Sequence, residues 1–226
     1  MPPSSSNSTS DLPMLARRIK ADLLAKQRLY CRFGNTYSMS QTVLADGTIA
    51  NVLVRIQEQL VALRVPVLAL LPHFVNKWLN GCVIGTRASF GEGLVLAHPI
   101  GIVINSAVRA GVNLVLESGV VLGDNRGRSP IIGDNVFIGS GAKVIGGVTI
   151  GNGARIGANA VVMHDVPPGA TVVGIAARVV AARAGAAAGE GRSETRSEAE
   201  AAKAAEPETA GFEQEREALV MRSAGY

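Results

Sequence analysis

Hydrophobic residues recur every six positions between residues 84 and 168 of this 226-residue chain. A glycine follows many of these hydrophobic residues directly, and a second small or aliphatic residue stands four positions after each of several of them. A fixed period this short is typical of a parallel β-helix of roughly four to five coils, in which three hexads form one triangular coil. Alternation by twos, which a β-sandwich would show, is not seen. The predicted inward-facing residues are Ile84, Phe90, Leu96, Ile102, Val108, Leu114, Val120, Ile132, Ile138, Val144, Ile150, Ile156 and Val162.

The period is interrupted once, between Val120 and Ile132. The inward position there falls on Arg126, whose charged side chain cannot be accommodated in an apolar lumen. Residues 123–130 are therefore predicted to bulge outward as a loop. Irregular loops on repeat proteins often carry binding sites.

The first 80 residues show a helical pattern instead. Residues 1–10 are polar and predicted to be disordered, and residues 11–80 are predicted to form a helical region that packs on the β-helix or on a second subunit. Apolar spacing predicts one helix to about residue 30, a second that Pro66 ends, and a third over residues 72–79. The second helix is expected to bury an apolar face formed by Ile49, Leu53, Ile56, Leu60 and Leu63.

The composition changes again after the repeats. Residues 81–180 form the predicted β-helix domain, and residues 181–226 are an Ala- and Glu-rich tail that we predict to be disordered. The residues before this tail hold 16 of the 22 basic and 9 of the 18 acidic side chains. That basic excess favours an anionic ligand such as a nucleotide phosphate, but it is too scattered to indicate nucleic acid.

Neither a membrane span nor a secretory signal is predicted, so a cytoplasmic location is expected. Cys31 and Cys82 lack metal-ligand spacing. They are predicted to be buried free thiols, and no metal is expected.

The three histidines limit the search for a general base. His73 lies in a predicted apolar helix and indicates a structural role, while His164 is expected at the surface beside Asp165. His98 occupies a hexad that lacks its corner glycine. A neutral imidazole can take a proton from a hydroxyl and return it later. His98 is therefore either a general base or a histidine exposed at a corner.

Residues 81–180 resemble the serine O-acetyltransferases and the related O-acetyltransferases of capsule and exopolysaccharide synthesis. The resemblance is carried by the segments GEGLVLAHPIGIVINSAV, VFIGSGAKVIGGVTIGNGARIGANAVV and DVPPGATVVGIAARVV, of which HPIGIVIN points most narrowly to the serine branch. It implies a mainly β protein with a left-handed parallel β-helix, assembled as a homotrimer or a dimer of trimers. It also implies acetyl transfer from acetyl-CoA to the hydroxyl of a small-molecule acceptor.

The resemblance assigns roles to individual residues. His98 matches the general base. Gly123, Ser140 and Ala158 match the backbone that the pantetheine arm of the coenzyme runs along. Lys143, like Arg155, is a candidate for attracting the coenzyme phosphates, or else a solvated corner residue.

Several positions depart from the family pattern. The aspartate that pairs with the base aligns on Val83, the acid before the base is Ala97, and a second histidine aligns on Ser129. Arg128 is retained and could hold a carboxylate with two hydrogen bonds. Arg128 and Ser129 are thus the predicted acceptor-binding residues. L-serine stands first as the acceptor, with a saccharide hydroxyl or a non-catalytic scaffold as alternatives.

A count of eighteen from His98 leads to Leu116 in the adjoining coil, with Glu117 beside it. We hypothesise that Glu117 hydrogen-bonds His98 and orients the imidazole. The alternative is a corner carboxylate in water. The resemblance also raises a partnership with a cysteine synthase, which is not expected because the chain ends in Tyr226 rather than isoleucine.

Overall fold

The computed structural model describes residues 11–31 and 36–182, and it places four helices before a stack of short strands. The predicted disorder of residues 1–10 and of the tail beyond residue 182 lies outside the described residues. None of the helices in the two described ranges is long and apolar enough to cross a membrane. The helices are α1 (Asp11–Cys31), α2 (Met39–Leu44), α3 (Thr48–Ala62) and α4 (Leu70–Leu79). The strands are β1 (Val83–Ile84), β2 (Ser89–Phe90), β3 (Val95–Leu96), β4 (Val103–Ile104), β5 (Arg109–Ala110), β6 (Val115–Leu116), β7 (Val121–Gly123), β8 (Ile131–Ile132), β9 (Phe137–Ile138), β10 (Lys143–Ile145), β11 (Thr149–Ile150), β12 (Arg155–Ile156), β13 (Val161–Val162), β14 (Ala170–Val173) and β15 (Arg178–Ala182).

The strands form three sheets, which are the three faces of a triangular prism. The first sheet is ordered β1-β4-β7-β10-β13, the second β11-β8-β5-β2, and the third β15-β14-β12-β9-β6-β3. Each strand pairs in parallel with the strand one coil further on, except that β14 and β15 are antiparallel. The parallel β-helix predicted from the repeats is confirmed.

The predicted inward-facing residues are all buried, but four of them do not lie on strands. Ile84 pairs with Ile104 and Leu96 with Leu116, so this coil has twenty residues rather than eighteen. The two extra residues lie in the corner that contains His98. Because both apolar positions of a hexad are buried, the six-residue period does not show which of them lies on the strand. The residues concerned, Ile102, Val108, Leu114 and Val120, are buried next to the strands, and the strand positions belong to Ile104, Ala110, Leu116 and Leu122.

The predicted outward loop is confirmed. Leu122 pairs with Val144, so four residues are added to this coil. The loop closes through a bridge between Asn125 and Arg128. Arg126 and Gly127 form its exposed tip, and both have a positive φ.

The buried face of α3 differs from the predicted one. Ile49, which was expected in the core, is 58% exposed, and the opposite side of the helix is buried instead. That side carries the polar residues Asn51, Arg55 and Gln57. The reason lies in the first coil, which has no preceding coil to pair its backbone groups. Unpaired buried backbone groups are costly, and polar side chains can satisfy them.

A cluster of side chains from the helical region makes these bonds. Asp22 accepts hydrogen bonds from the amides of Gly93 and Leu94 at 2.9 Å each. Asn51 accepts one from the Leu96 amide and donates one to the Leu94 carbonyl. We call this cluster the polar cap, and it consists of Asp22, Lys26, Asn51, Arg55, Gln57, Glu58 and His73.

Lys26 of the polar cap gives folding a pH dependence. Burial lowers the pKa of this amine from 10.5 to about 8, against an opposing effect of Asp46. Above pH 8 the unfolded chain therefore binds more protons than the folded chain, so the free energy of unfolding rises with pH. We expect a rise of about 1 kcal/mol between pH 8 and 9 that the Lys26→Met variant lacks. Urea titrations at each pH measure it.

The window ends near pH 9 because a second group acts in the opposite direction. Burial raises the pKa of the Cys82 thiol from 9.0 to about 11, so the folded chain retains a proton that the unfolded chain loses. Parallel pH curves for the wild-type chain and Lys26→Met below pH 9 would contradict the assignment to Lys26.

Cys82 is buried as predicted, whereas Cys31 is exposed, contrary to prediction.

Candidate functional site

His98 lies in the corner between the third and the first sheet, on the two inserted residues. Its side chain is 55% exposed, while the neighbouring Pro99 is buried. An open cleft of about 220 Å³ adjoins the imidazole. The remaining lining comes from Asp46, Gly47, Leu79, Asn80 and Ile100. A histidine in this position is accessible to a ligand and attached to a rigid coil.

The helical region supplies a carboxylate to this cleft. Oδ2 of Asp46 lies 3.4 Å from Nδ1 of His98. Asp46 precedes Gly47 in the turn between α2 and α3. An Asp-Gly pair is typical of a turn, but nothing in the sequence indicates which coil this turn approaches.

Three predicted site residues share the edge of the prism on which His98 lies. The amide of Gly141 donates to the carbonyl of Ser118, and the amide of Asn159 donates to the carbonyl of Ser140. These bonds stack Ser118, Ser140 and Ala158 in successive coils, and the amide of Gly119, which donates to the Ile100 carbonyl, places this stack below Ile100 in the corner that contains His98. Lys143 follows the same edge, with its Nζ 3.1 Å from the Gly141 carbonyl. We call this edge the His98 edge.

Glu117 stands level with Ala97 in the next coil. The amide of Ala97 donates to the carbonyl of Leu116, which aligns Ala97 with Glu117, whereas the amide of Gly119 donates to the carbonyl of Ile100, so the inserted His98 has no counterpart in the next coil. Asp46 is the only carboxylate within 4.0 Å of a His98 ring nitrogen among the described residues. A hydrogen bond between Glu117 and His98 stays a prediction.

The predicted acceptor-binding residues lie at a different corner. Gly123, which the resemblance assigns to the coenzyme, ends β7 at this corner rather than on the His98 edge, and the outward loop follows with Arg128 and Ser129. Oγ of Ser129 donates to Oδ1 of Asn105 at 3.1 Å, which attaches the loop to the corner after β4. This loop corner is separated from the His98 edge by the width of the first sheet, about 13 Å for four extended residues. One chain therefore does not bring Arg128 and His98 together.

The other candidates are distributed over the molecule. The guanidinium of Arg155 lies 4.8 Å from the ring centroid of Phe137 on the third sheet, away from the His98 edge. Nδ1 of His73 lies 2.9 Å from the Ile84 carbonyl oxygen, a structural contact as expected. His164 is exposed on the last coil, also as expected. Val83 lies on the first strand of the first sheet and offers no acceptor to the imidazole.

Comparison with known proteins gives this arrangement a family. Residues 129–164 match the family described as bacterial transferase hexapeptide (six repeats). The chain is 38% identical over 130 residues to the serine acetyltransferase of Synechococcus elongatus, a match that covers 56% of this chain and 53% of that protein. The chain spans about half the length of the curated relatives that it matches.

Solved structures extend the match through the helical region. The crystal structure of Neisseria gonorrhoeae serine acetyltransferase in complex with serine has a TM-score of 0.69 and 34% identity, covering 76% of this chain and 72% of that chain. The chain belongs to the serine acetyltransferase family. Another member of the family, solved in complex with CoA, has a TM-score of 0.69 and 30% identity, covering 74% of this chain and 70% of that chain. The serine acetyltransferase fold, a left-handed parallel β-helix after N-terminal helices, is the fold found here.

Proposed function

We propose that this protein is an acetyl-CoA-dependent O-acetyltransferase with His98 as its general base. The observation that carries the proposal is the position of His98, which is exposed at an open cleft in the corner of the prism whose later coils carry Ser140 and Ala158. A histidine with a structural role, such as the partly buried His73, has its ring nitrogen bonded to the backbone instead. The solved relatives in complex with CoA and with serine support the same chemistry.

The reaction proceeds by direct transfer. His98 takes the proton of the acceptor hydroxyl as the oxygen attacks the thioester carbonyl carbon. The new C–O bond forms, the C–S bond breaks, and CoA leaves as a thiolate that is protonated by the imidazolium. Holding both reactants in one cleft supplies the largest part of the rate enhancement. The base contributes about 10²- to 10⁴-fold.

The coenzyme is placed along the His98 edge. Ser140 and Ala158 are both exposed there, and successive corners present backbone groups that can bond the amides of a pantetheine arm. Lys143 is exposed beside them and can attract a coenzyme phosphate. Arg155 is not included, because its guanidinium lies over Phe137 on another face.

The acceptor site is completed by a second copy of the chain. Arg128 and Ser129 lie on the loop corner, about 13 Å across the first sheet from the His98 edge. In a homotrimer of prisms, the loop corner of one chain can face the His98 edge of the next. Large apolar side chains are also exposed between α3 and α4 and along α4, namely Val65, Val67, Leu68, Leu70, Leu71, Phe74, Trp78 and Leu79. Association of chains would cover such a surface.

L-serine is the first candidate for the acceptor, and a saccharide hydroxyl is the second. Arg128 is exposed and can bind the carboxylate of an amino acid with two hydrogen bonds. The groups that would bind its ammonium are partly missing, since Val83, Ala97 and Ser129 carry no charge. This loss is the specific observation that favours the saccharide.

An acceptor screen tests the proposal. Purified protein is incubated with acetyl-CoA and with L-serine or a panel of sugars, and free thiol is measured. We expect acceptor-dependent release of CoA, with L-serine giving the highest kcat/KM. Sedimentation of the same sample should give the mass of three chains or six. Absence of acetyl-CoA binding in a calorimetric titration would favour the non-catalytic scaffold instead.

A further inference from the structure

The turn between α2 and α3 places a carboxylate against the proposed general base. Oδ2 of Asp46 lies 3.4 Å from Nδ1 of His98, and both side chains face the open cleft, at 78% and 55% exposure. The sequence offers no acid at the two positions where the family has one, Val83 and Ala97. The contact therefore comes from a different part of the chain, the helical region.

We propose that Asp46 is a positioning residue for His98, an inference that rests on the function proposed above. In this role its carboxylate accepts a hydrogen bond from Nδ1–H of His98 when the 3.4 Å contact shortens. This bond selects the tautomer in which Nε2 has no proton and can take one from the acceptor hydroxyl. The carboxylate also stabilises the imidazolium that forms.

The backbone of the turn is fixed against the coil that carries His98. Gly47 has a φ of 75°, and a Cβ at this residue would lie 2.0 Å from the Leu96 carbonyl oxygen and 3.2 Å from Cδ of Pro99. Only glycine fits so close an approach with this φ. The backbone of Asp46 is thus held next to the His98 corner although its side chain is exposed.

Lys26 fastens the same turn to the coil. Its Nζ donates to the Asp46 carbonyl, to Oγ1 of Thr48 and to the Leu96 carbonyl, the last two at 3.2 Å. Lys26 is 2% exposed, so these bonds are shielded from water. Through Leu96 they couple the turn to the strand that leads directly into His98.

The other titratable groups near the turn do not contact the imidazole. Lys26 bonds the backbone of Asp46, not its carboxylate. Tyr30 lies near Tyr37, Asp46 and Glu117. Burial, followed by the charges of these three groups, raises the pKa of Tyr30, which keeps this phenol neutral at physiological pH. Glu117 is the one rival carboxylate, and it stands level with Ala97.

Nitrogen-15 NMR of labelled histidine tests the contact without relying on turnover. The chain has three histidines, which makes the spectra simple to assign with a His98→Ala sample. We expect His98 in the Nδ1–H tautomer, and a shift toward Nε2–H in Asp46→Ala. His73, bonded to the Ile84 carbonyl, is the internal control.

Asp46→Glu should restore part of the preference for the Nδ1–H tautomer, and Glu117→Gln separates the two carboxylates. The proposal is overturned if Asp46→Ala leaves the tautomer of His98 unchanged. It is also overturned if Glu117→Gln changes the tautomer while Asp46→Ala does not.

Kinetics give a second readout. Asp46→Ala should lower kcat about tenfold, less than the ~10⁴-fold that follows loss of tautomer control by a buried triad carboxylate. The KM for acetyl-CoA should stay within about twofold, since the proposed coenzyme contacts Ser140, Ala158 and Lys143 lie in later coils than His98. If His98→Ala left turnover intact, the proposed function would fail while the NMR result still tested the pair. If only Asp46→Ala left turnover intact, the positioning role alone would fail.

Discussion

Replacing His98 with alanine is expected to lower the turnover number for acetyl transfer by about 10²- to 10⁴-fold. The variant still binds both reactants, so the contribution from their placement remains. What is lost is the group that takes the proton from the acceptor hydroxyl. Steady-state release of CoA measures the turnover number, and a calorimetric titration should show unchanged affinity for the coenzyme.

His164→Ala is the matched control for this variant. His164 is exposed on the last coil and has no contact with the cleft residues described above. Its replacement should leave the turnover number unchanged within about twofold. A fully active His98→Ala variant would remove the basis of the proposed mechanism.

Replacing Arg55 with leucine is expected to destabilise the protein by about 3–5 kcal/mol. Arg55 is fully buried and bonds both oxygens of Asp22, at 2.7 and 2.9 Å, as well as Glu58 and two backbone carbonyls of the first coil. Burial alone would lower the pKa of Arg55, but the hydrogen bond and charge of Asp22, with Glu58, raise it above its ordinary value. The leucine leaves Asp22 as a buried charge without its partner.

A surface ion pair provides the control. Arg17 contacts Glu92 at 2.6 Å, but its side chain is 71% exposed. Arg17→Leu should therefore change the free energy of unfolding by less than about 1 kcal/mol. Urea denaturation of both variants at one protein concentration separates them. Equal and small losses would show that the polar cap is not what holds the helical region to the β-helix.

The six-residue period was sufficient to predict the β-helix and its outward loop, and the helical spacing of apolar residues predicted the helices before it. Each aliphatic residue of a hexad enters a lumen that only small or branched apolar side chains fill, so the pattern is local and repeats. The same period could not give the register around His98. The two inserted residues move the strand position from Ile102 to Ile104. Because both side chains are buried, the pattern of apolar residues does not reveal this shift.

The polar cap was also beyond what the pattern could show. The apolar stripe of α3 predicted a buried face that includes Ile49, yet the helix buries Asn51 and Arg55. An apolar stripe shows which side chains gain free energy when they leave water. The first coil instead needs hydrogen-bond donors and acceptors for its unpaired backbone groups, and apolar side chains cannot supply them. That need exists only once the coil has formed.

The sequence by itself determined the prism, because each repeat is recognised within a few residues. It also determined which histidine matches the family pattern. Tertiary structure alone decided which carboxylate meets that histidine. Asp46 and His98 are far apart in the chain, and their approach depends on a glycine turn seated on Leu96 and held there by Lys26. No local period encodes such a contact, because it is set by how two separately folded segments pack.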